Sequence, residues 1–351
     1  MKIYHVSPAY VVLLLLCCTL SCFKNTDGKS SRPTAQNLSG ILTSIRQDPQ
    51  INEALGTFDQ VRFSLELDNI AKRIGDISQV ETADSVVTAL NAMIYDSLRI
   101  QFIDDRSTMA PAFPDHVLRN RTGSCLGISF LYMLLCDRIH VKAAGVVVPG
   151  HFFVRIIHND SCRNIETMKS GKSLPDTWYR EKFINPAGSN ADLHSLSIEE
   201  VAGVVRFTTG NIFLQQKKYR KALDQYELAV AAIPRVAELW GNMAVAQDGL
   251  GNTGEALKYL EHVKTIAPSL KNLDRNIGAL LLKKGQYDKA IEYYSQVRQL
   301  TPKDPEVLYG IGFAYYSAGK RAQARKALEE LVQTCGNYRD AGKLLEKVSV
   351  P

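Results

Sequence analysis

The sequence lacks long runs of basic residues, and this absence excludes a nucleic-acid-binding role. Its 351 residues have a net charge of +6, and the lysines and arginines are scattered among aspartates and glutamates. No concentrated patch is therefore available to neutralise a phosphate backbone. Hydrophobic residues make up 45% and charged residues 22%, the composition of an ordinary folded protein. The length exceeds one ordinary core and predicts two domains or slightly more.

Cysteines are also few once the first 22 residues are set aside. The four that remain are Cys125, Cys136, Cys162 and Cys335. Four scattered thiols in a chain of this size exclude a disulfide scaffold. No C-x-x-C or paired Cys/His spacing occurs, so we predict neither a metal site nor a cofactor.

Residues 1–22 form an N-terminal segment with the organisation of a secretory signal. A basic start at Lys2 is followed by an apolar run at 11–16 and by small or thiol residues. The run is too short to cross a bilayer. Residues 23–39 are rich in Ser, Thr, Asn, Lys and Gly, and this composition predicts a flexible tether.

The end of that signal, Thr-Leu-Ser-Cys at 19–22, resembles a bacterial lipobox. The resemblance implies that Cys22 is diacylated and becomes the new N-terminus. Cys17 and Cys18 are competing sites, and an ordinary cleaved signal that contains thiols is the alternative. With lipidation we expect the protein on the bacterial cell envelope, anchored at the outer membrane or the periplasmic face.

The C-terminal half repeats every 34 residues. This spacing resembles the tetratricopeptide repeat, a helix-turn-helix unit with small residues between its helices and a proline after the second. Four repeats are predicted over 203–336, followed by a capping helix at 337–351. Such arrays bind a peptide or a partner protein, and a spacer or dimerisation element is the alternative. The repeated positions are Pro234, Pro268 and Pro302; Ala222, Ala256, Ala290 and Ala324; and Gly210, Gly278 and Gly312.

Cys125 is predicted to begin a buried helix. Ser124 supplies the cap, and apolar residues then recur at helical spacing. The start of a helix is a position that lowers the pKa of a thiol, and the thiolate is the nucleophile. Gly123 and Gly127 are expected to let a substrate backbone come close. The alternative is a buried structural cysteine, which is our prediction for Cys136.

Downstream, two β-rich runs and a turn signal at 159–160 predict a hairpin. With a two-residue turn, His158 pairs with Ser161, and Glu166 becomes the diagonal neighbour of His151 on the same face. A carboxylate there can hold one imidazole nitrogen while the other faces a thiol. A three-residue turn would direct Glu166 away.

The segments G-S-C-L-G-I-S, V-V-V-P-G-H-F-F-V-R and N-I-E-T resemble the transglutaminase-like superfamily in its SirB-type branch, over about 80–185. The resemblance implies an α+β papain/transglutaminase-like core at 40–192, followed here by an all-α tetratricopeptide-repeat solenoid. It further implies Cys125 as nucleophile, His151 as base and Glu166 as orienting acid. Where relatives tend to carry Gly-Gly after the acid, this chain has Lys-Ser-Gly-Lys at 169–172.

Two functions from different classes follow from these motifs. The first is an exported cysteine enzyme that attacks an amide of a peptide or protein substrate and passes the acyl group to water or an amine. The second is a non-catalytic scaffold that binds peptide or cell-wall material, with the repeats recruiting a protein partner.

Overall fold

The predicted signal and most of the predicted tether, including Cys22, lie outside the described residues. The structure is a computed structural model, and it describes residues 37–75, 82–158, 161–184, 193–270, 272–336 and 338–349. The first helix already begins at Leu38, where the Asn37 side chain accepts a hydrogen bond of 2.7 Å from Gly40 N. The tether prediction is therefore wrong for its last residues, 37–39, because an N-cap asparagine starts the helix there.

The chain divides into two compact units, residues 1–239 and 240–351. The first repeat predicted from the 34-residue spacing thus lies in the same unit as the N-terminal domain. The predicted boundary between the N-terminal domain, which ends at 192, and the repeats, which begin at 203, stays a prediction: it says that the repeats fold when they are produced as a separate fragment.

The described part of the N-terminal domain combines helices with two small sheets. The helices are α1 (Leu38–Arg46), α2 (Pro49–Leu55), α3 (Gln60–Ile74), α4 (Ala83–Asn91), α5 (Pro114–Asn120), α6 (Cys125–Arg138) and α7 (Asp176–Phe183). The strands are β1 (Gln101–Phe102), β2 (Thr122–Gly123), β3 (Lys142–Val148), β4 (His151–His158), β5 (Ser161–Glu166) and β6 (Lys172–Leu174).

The larger sheet is antiparallel with the order β3-β4-β5-β6, and α6 packs on β3 and β4. His158 pairs with Ser161 and Val154 with Ile165, so the predicted register is confirmed. The turn residues 159–160 themselves lie outside the described residues. Val148 pairs with His151 across the other hairpin, which places His151 at the first position of β4.

A widened helical turn follows helix α4 directly. Helix α4 ends at Asn91, and a π-helix follows over Ala92–Ser97. Such turns are rare and change the direction of side chains relative to the preceding helix. The Asn91 side chain donates a 3.0 Å hydrogen bond to Gly171 O, beside the end of β5.

The 34-residue spacing corresponds to successive helix pairs, as predicted. The four alanines at the repeated position are each fully buried, and each proline lies two residues beyond a second helix. The predicted capping helix is observed as α16, with Leu344 and Val348 buried. The pairs are α8 (Ile198–Gln215) with α9 (Tyr219–Ala232), α10 (Ala237–Gly249) with α11 (Thr253–Ile266), α12 (Leu273–Lys283) with α13 (Tyr287–Leu300), and α14 (Pro305–Ser317) with α15 (Arg321–Cys335), before α16 (Ala341–Ser349).

The first pair packs against the N-terminal helices through a polar network. Helix α8 lies on α1. Arg206 Nη1 donates to Asp48 Oδ2 at 2.5 Å, and Gln225 Nε2 donates to the same oxygen at 3.1 Å. Asp48 also caps α2, since its other oxygen accepts from Gln50 N at 2.9 Å. Burial raises the pKa of Asp48, but these hydrogen bonds and the charge of Arg206 outweigh it and hold the pKa below its ordinary value.

We expect Asp48→Ala to lower the free energy of unfolding by about 1–2 kcal/mol at pH 7, from the lost cap and ion pair. Because folding lowers the pKa of this carboxyl, ionised Asp48 stabilises the fold at pH values above its pKa in the unfolded chain. That stabilisation is lost as the pH falls through its pKa in the folded protein. The difference from the parent should therefore narrow in acid. Urea denaturation at pH 7 and at pH 3 measures both effects, and a deficit that does not change with pH would contradict the electrostatic part.

Candidate active site

Helix α6 begins at Cys125, as predicted. Ser124 is its N-cap, and Ser124 Oγ accepts a 3.3 Å hydrogen bond from Gly127 N. Ser124 is held in turn by its own N–H, which donates to Pro111 O at 2.9 Å. Cys125 is partly exposed, whereas Cys136, on the same helix, is fully buried. Burial raises the pKa of the Cys136 thiol to about 12, so it stays protonated.

The two glycines beside Cys125 serve the protein's own packing. A Cβ atom at Gly127 would lie 2.1 Å from Pro111 O, a backbone atom that cannot yield. A Cβ at Gly123 would lie 2.6 Å from Val117 Cγ2 and 2.9 Å from Ile128 Cγ1. Contacts inside the fold are enough to account for the missing side chains, and the expectation that the glycines make room for a substrate backbone stays a prediction.

His151 and Glu166 form a buried hydrogen-bonded pair. His151 Nε2 lies 2.8 Å from Glu166 Oε2, with 5% of His151 and none of Glu166 exposed. The other carboxylate oxygen, Oε1, accepts a 2.9 Å hydrogen bond from Met168 N. Because both oxygens of Glu166 have partners, the carboxylate cannot rotate freely, and it fixes the plane of the imidazole.

Cys125 is close enough to His151 for its side chain to raise the pKa of the imidazole. Since Nε2 faces Glu166, the ring atom left for the thiol is Nδ1. Burial lowers the pKa of His151, but the hydrogen bonds and negative charges of Cys125 and Glu166 outweigh burial and raise the pKa to about 9. A thiol, an imidazole and a carboxylate thus follow one another in the order that general acid–base chemistry at a cysteine requires.

An NMR titration of the His151 ring should have a midpoint near pH 9, and Glu166→Gln should move it downward by removing a charge that favours the imidazolium. The upward direction of this pKa shift also determines at which pH values His151 stabilises the fold. A raised histidine pKa contributes stability that is fully present below about pH 6.5 and is lost as the pH rises through about 9. A midpoint near 6.5 in both proteins would contradict the coupling of His151 to its partners.

Stacked aromatic rings cover the imidazole. The ring centre of Phe183 is 4.7 Å from that of His151, with an angle of 15° between the planes. Phe153 and Tyr179 stack on each other at 3.8 Å, and both centres lie 6.4 Å from His151. Burial and the negative charge of Glu166 raise the pKa of the Tyr179 hydroxyl, so it remains neutral. These rings exclude water from one side of the pair and strengthen its electrostatic interaction.

Three comparisons with known proteins bear on these two parts of the chain. A family model described as "Transglutaminase-like superfamily" matches residues 62–203, and two models of the tetratricopeptide repeat match 207–270 and 281–347. The chain joins a transglutaminase-like domain to tetratricopeptide repeats. The predicted fold class, an α+β core of this kind followed by a helical array, is confirmed.

Curated relatives match part of the chain only. Intraflagellar transport protein 88 homolog from Homo sapiens is 25% identical over 131 residues, which is 37% of this chain and 12% of that protein. Hsp70-Hsp90 organizing protein 1 from Glycine max is 30% identical over 122 residues, 35% of this chain and 21% of that protein. The chain thus spans about a fifth or less of the length of these relatives.

Solved structures resemble the protein over a similar share of the chain. MamA from Desulfovibrio magneticus RS-1 has 20% identity, covers 42% of this chain and 84% of its own, and has a TM-score of 0.41. YrrB, described as a tetratricopeptide-repeat protein with an unusual peptide-binding site, has 18% identity, covers 42% and 80%, and has a TM-score of 0.39.

Within the transglutaminase-like domain, residues that could not be found from the sequence connect Cys125 to the segment that carries Glu166. Thr167, next to Glu166, is fully buried, and its Oγ1 donates to Cys125 O at 3.4 Å. Ser129, one turn further along α6, lies 3.5 Å from the same hydroxyl. Thr167 stood in the N-I-E-T segment, so its position was visible, but its contact across to α6 was not. Phe183 had only the aromatic-rich composition of 178–183 as a signal.

Proposed function

We propose that this protein is an exported cysteine-dependent acyl-transfer enzyme acting on an amide of a peptide or protein. The observation that carries the proposal is the buried His151–Glu166 pair with Cys125 in reach of the imidazole. A purely structural role would not require a buried ionisable pair beside a partly exposed thiol, because burying charge is unfavourable unless it is used or well paired. The SirB-type branch is the proposed subtype.

The proposed reaction passes through a thioester. Cys125 Sγ gives its proton to His151 and forms a bond to the amide carbonyl carbon, and the C–N bond breaks as His151 passes that proton to the departing amine. Water or a second amine then attacks the thioester, His151 accepts the proton of that nucleophile, and the C–S bond breaks with return of the proton to sulfur. Water gives hydrolysis and an amine gives transamidation. Glu166 orients His151 throughout and keeps its proton affinity high.

The repeats indicate protein or peptide binding. In the proposed enzyme this array holds the substrate or a partner protein while the transglutaminase-like domain acts. The second candidate, a non-catalytic scaffold lipoprotein that binds peptide or cell-wall material, is favoured by the same array. This scaffold differs from the proposed enzyme because it does not require Cys125 to react with a substrate.

Anchoring at the bacterial cell envelope through a lipid on Cys22 is part of the proposal and rests on the lipobox-like residues 19–22. Across the described ranges, none of the helices is both long and apolar enough to cross a bilayer. The Cys22→Ala protein should leave the detergent phase in a partition assay, with Cys162→Ala as a control that stays. Retention of the Cys22→Ala protein in the detergent phase would remove the lipid assignment.

An activated ester tests the acyl-transfer step without knowledge of the natural substrate. With p-nitrophenyl acetate, Cys125 should release about one nitrophenolate per protein in a burst and leave an acetyl thioester on the peptide that contains it. Cys125→Ala should remove the burst, and Cys335→Ala, in the repeats, should retain it. A burst that survives Cys125→Ala, or none in the parent protein, favours the scaffold.

A further inference from the structure

Basic side chains lie on aromatic rings next to the candidate active site. Lys169 Nζ is 5.0 Å from the ring centre of Trp178, and Lys182 Nζ is 4.7 Å from the same ring. Lys169 lies in the turn after β5, and Lys182 lies in α7. We call Lys169, Trp178 and Lys182 the basic rim.

The rim is coupled to the reactive groups through Phe183. Lys182 Nζ lies 5.2 Å from the ring centre of Phe183, and that ring stacks on His151 at 4.7 Å. Trp178 meets the same ring edge-on at 5.8 Å. The ammonium group of Lys182 is therefore within about one Debye length of the imidazole at 0.1 M salt, roughly 10 Å, so salt screens its charge there only in part.

Two carboxylates in this part of the domain are already engaged, and a third, Glu181, is exposed beside Lys182 in α7. Asp176 accepts from Arg155 and Asn164, both at under 3 Å, and Glu166 is bound to His151 and Met168. Among the residues that the structure describes, neither Lys169 nor Lys182 forms an ion pair with a carboxylate. The rim therefore presents net positive charge, and an aromatic face holds each ammonium while leaving it able to receive an anion.

The turn that carries Lys169 has a fixed conformation. Gly171 has φ +76°, and a Cβ there would lie 1.9 Å from Asn91 Oδ1. Gly171 N donates to Glu166 O at 3.1 Å, and Asn91 Nδ2 donates to Gly171 O at 3.0 Å. Anchoring on both sides keeps the Lys169 backbone in place relative to Glu166, so the charge stands at a defined position beside the site.

From this geometry we propose that the site selects acyl substrates with a carboxylate next to the scissile amide, that is, acidic peptides. The proposal rests on the proposed function, because it names the substrate class of the same thiol. The lysines attract the carboxylate, and Trp178 offers an apolar face to the substrate chain beside it.

Two alkylating reagents of similar size test the rim. Iodoacetate carries a carboxylate and iodoacetamide does not, so the ratio of their rates at Cys125 reports the local charge. The double variant Lys169→Gln/Lys182→Gln should lower this ratio at least about twofold at low salt, which is the effect of one charge at roughly 10 Å in a water-like dielectric. The effect should vanish near 1 M salt, where the Debye length is about 3 Å.

Lys142→Gln is the matched control, because Lys142 pairs with Ile157 at the end of the β3–β4 ladder opposite to Val148 and His151. It removes one positive charge, half of what the double variant removes, and should leave the ratio unchanged. An equal fall in both proteins, or no fall in the double variant, would overturn the proposal. The ratio can be read whatever the absolute rate at Cys125, so loss of the p-nitrophenyl acetate burst and loss of the charge effect are separate results.

Discussion

Alkylation of Cys125 by iodoacetamide at pH 6 should slow about tenfold when His151 is replaced by Ala. An unassisted thiol with an ordinary pKa of about 8.5 is less than 1% thiolate at this pH. In the parent protein, the imidazolium of His151, with its pKa raised to about 9, stabilises the negative sulfur. The weaker intrinsic nucleophilicity of a stabilised thiolate keeps the ratio below the full difference in thiolate fraction.

Peptide mass mapping over a time course measures this rate together with those of Cys162 and Cys335. A limiting dose should label Cys125 first in the parent protein, and Cys136 last because it is fully buried. His158→Ala is the matched control, since His158 lies at the far end of β4 and on the opposite face from His151. A rate indifferent to His151, or preferential labelling of Cys162 or Cys335, would move the function to the scaffold.

Replacing Asp115 with Ala should lower the free energy of unfolding by about 3–5 kcal/mol, because it leaves the Arg46 guanidinium buried without its counter-ion. Arg46 Nε donates to Asp115 Oδ2 at 3.2 Å, and their side chains are 0% and 6% exposed. Phe58 and Phe113 flank the guanidinium at 5.3 and 5.7 Å and cannot replace a carboxylate.

Urea denaturation measures this loss, with Asp104→Ala as the control. Asp104 pairs with Arg106 at 2.8 Å, but both side chains are about two-thirds exposed, and the change should cost less than about 1 kcal/mol. Adding Arg46→Met to Asp115→Ala should recover much of the stability, because the unpaired charge is gone. Equal losses from Asp115→Ala and Asp104→Ala would contradict the buried-charge argument.

The His151–Glu166 contact could be predicted because it depends on local rules. A two-residue turn fixes the strand register, and alternation along a strand fixes which side chains share a face. The observed pairing of His158 with Ser161 confirms that reasoning. The repeats were equally accessible, since a period of 34 residues is visible without any knowledge of packing.

The features that could not be predicted from the sequence depend on contacts between residues that are far apart in the chain. Gly127 is explained by Pro111 O, sixteen residues earlier, and the stacking of Phe183 on His151 joins residues 32 apart. The π-helix after Asn91 was hidden because its apolar spacing is also compatible with an ordinary helix. Of the basic rim, only Lys169 stood out in the sequence, as part of the Lys-Ser-Gly-Lys segment at 169–172, and its direction in space could not be assigned.

The junction near residue 200 has a consequence for how such proteins are recombined. Family boundaries divide the chain between 203 and 207, yet α8 lies on α1, and Arg206 is bound to Asp48. The boundary between the two families and the end of the first compact unit therefore fall at different residues. A crossover at the family boundary would separate Arg206 from Asp48, whereas one near 239 would transfer the first helix pair along with the surface that it covers.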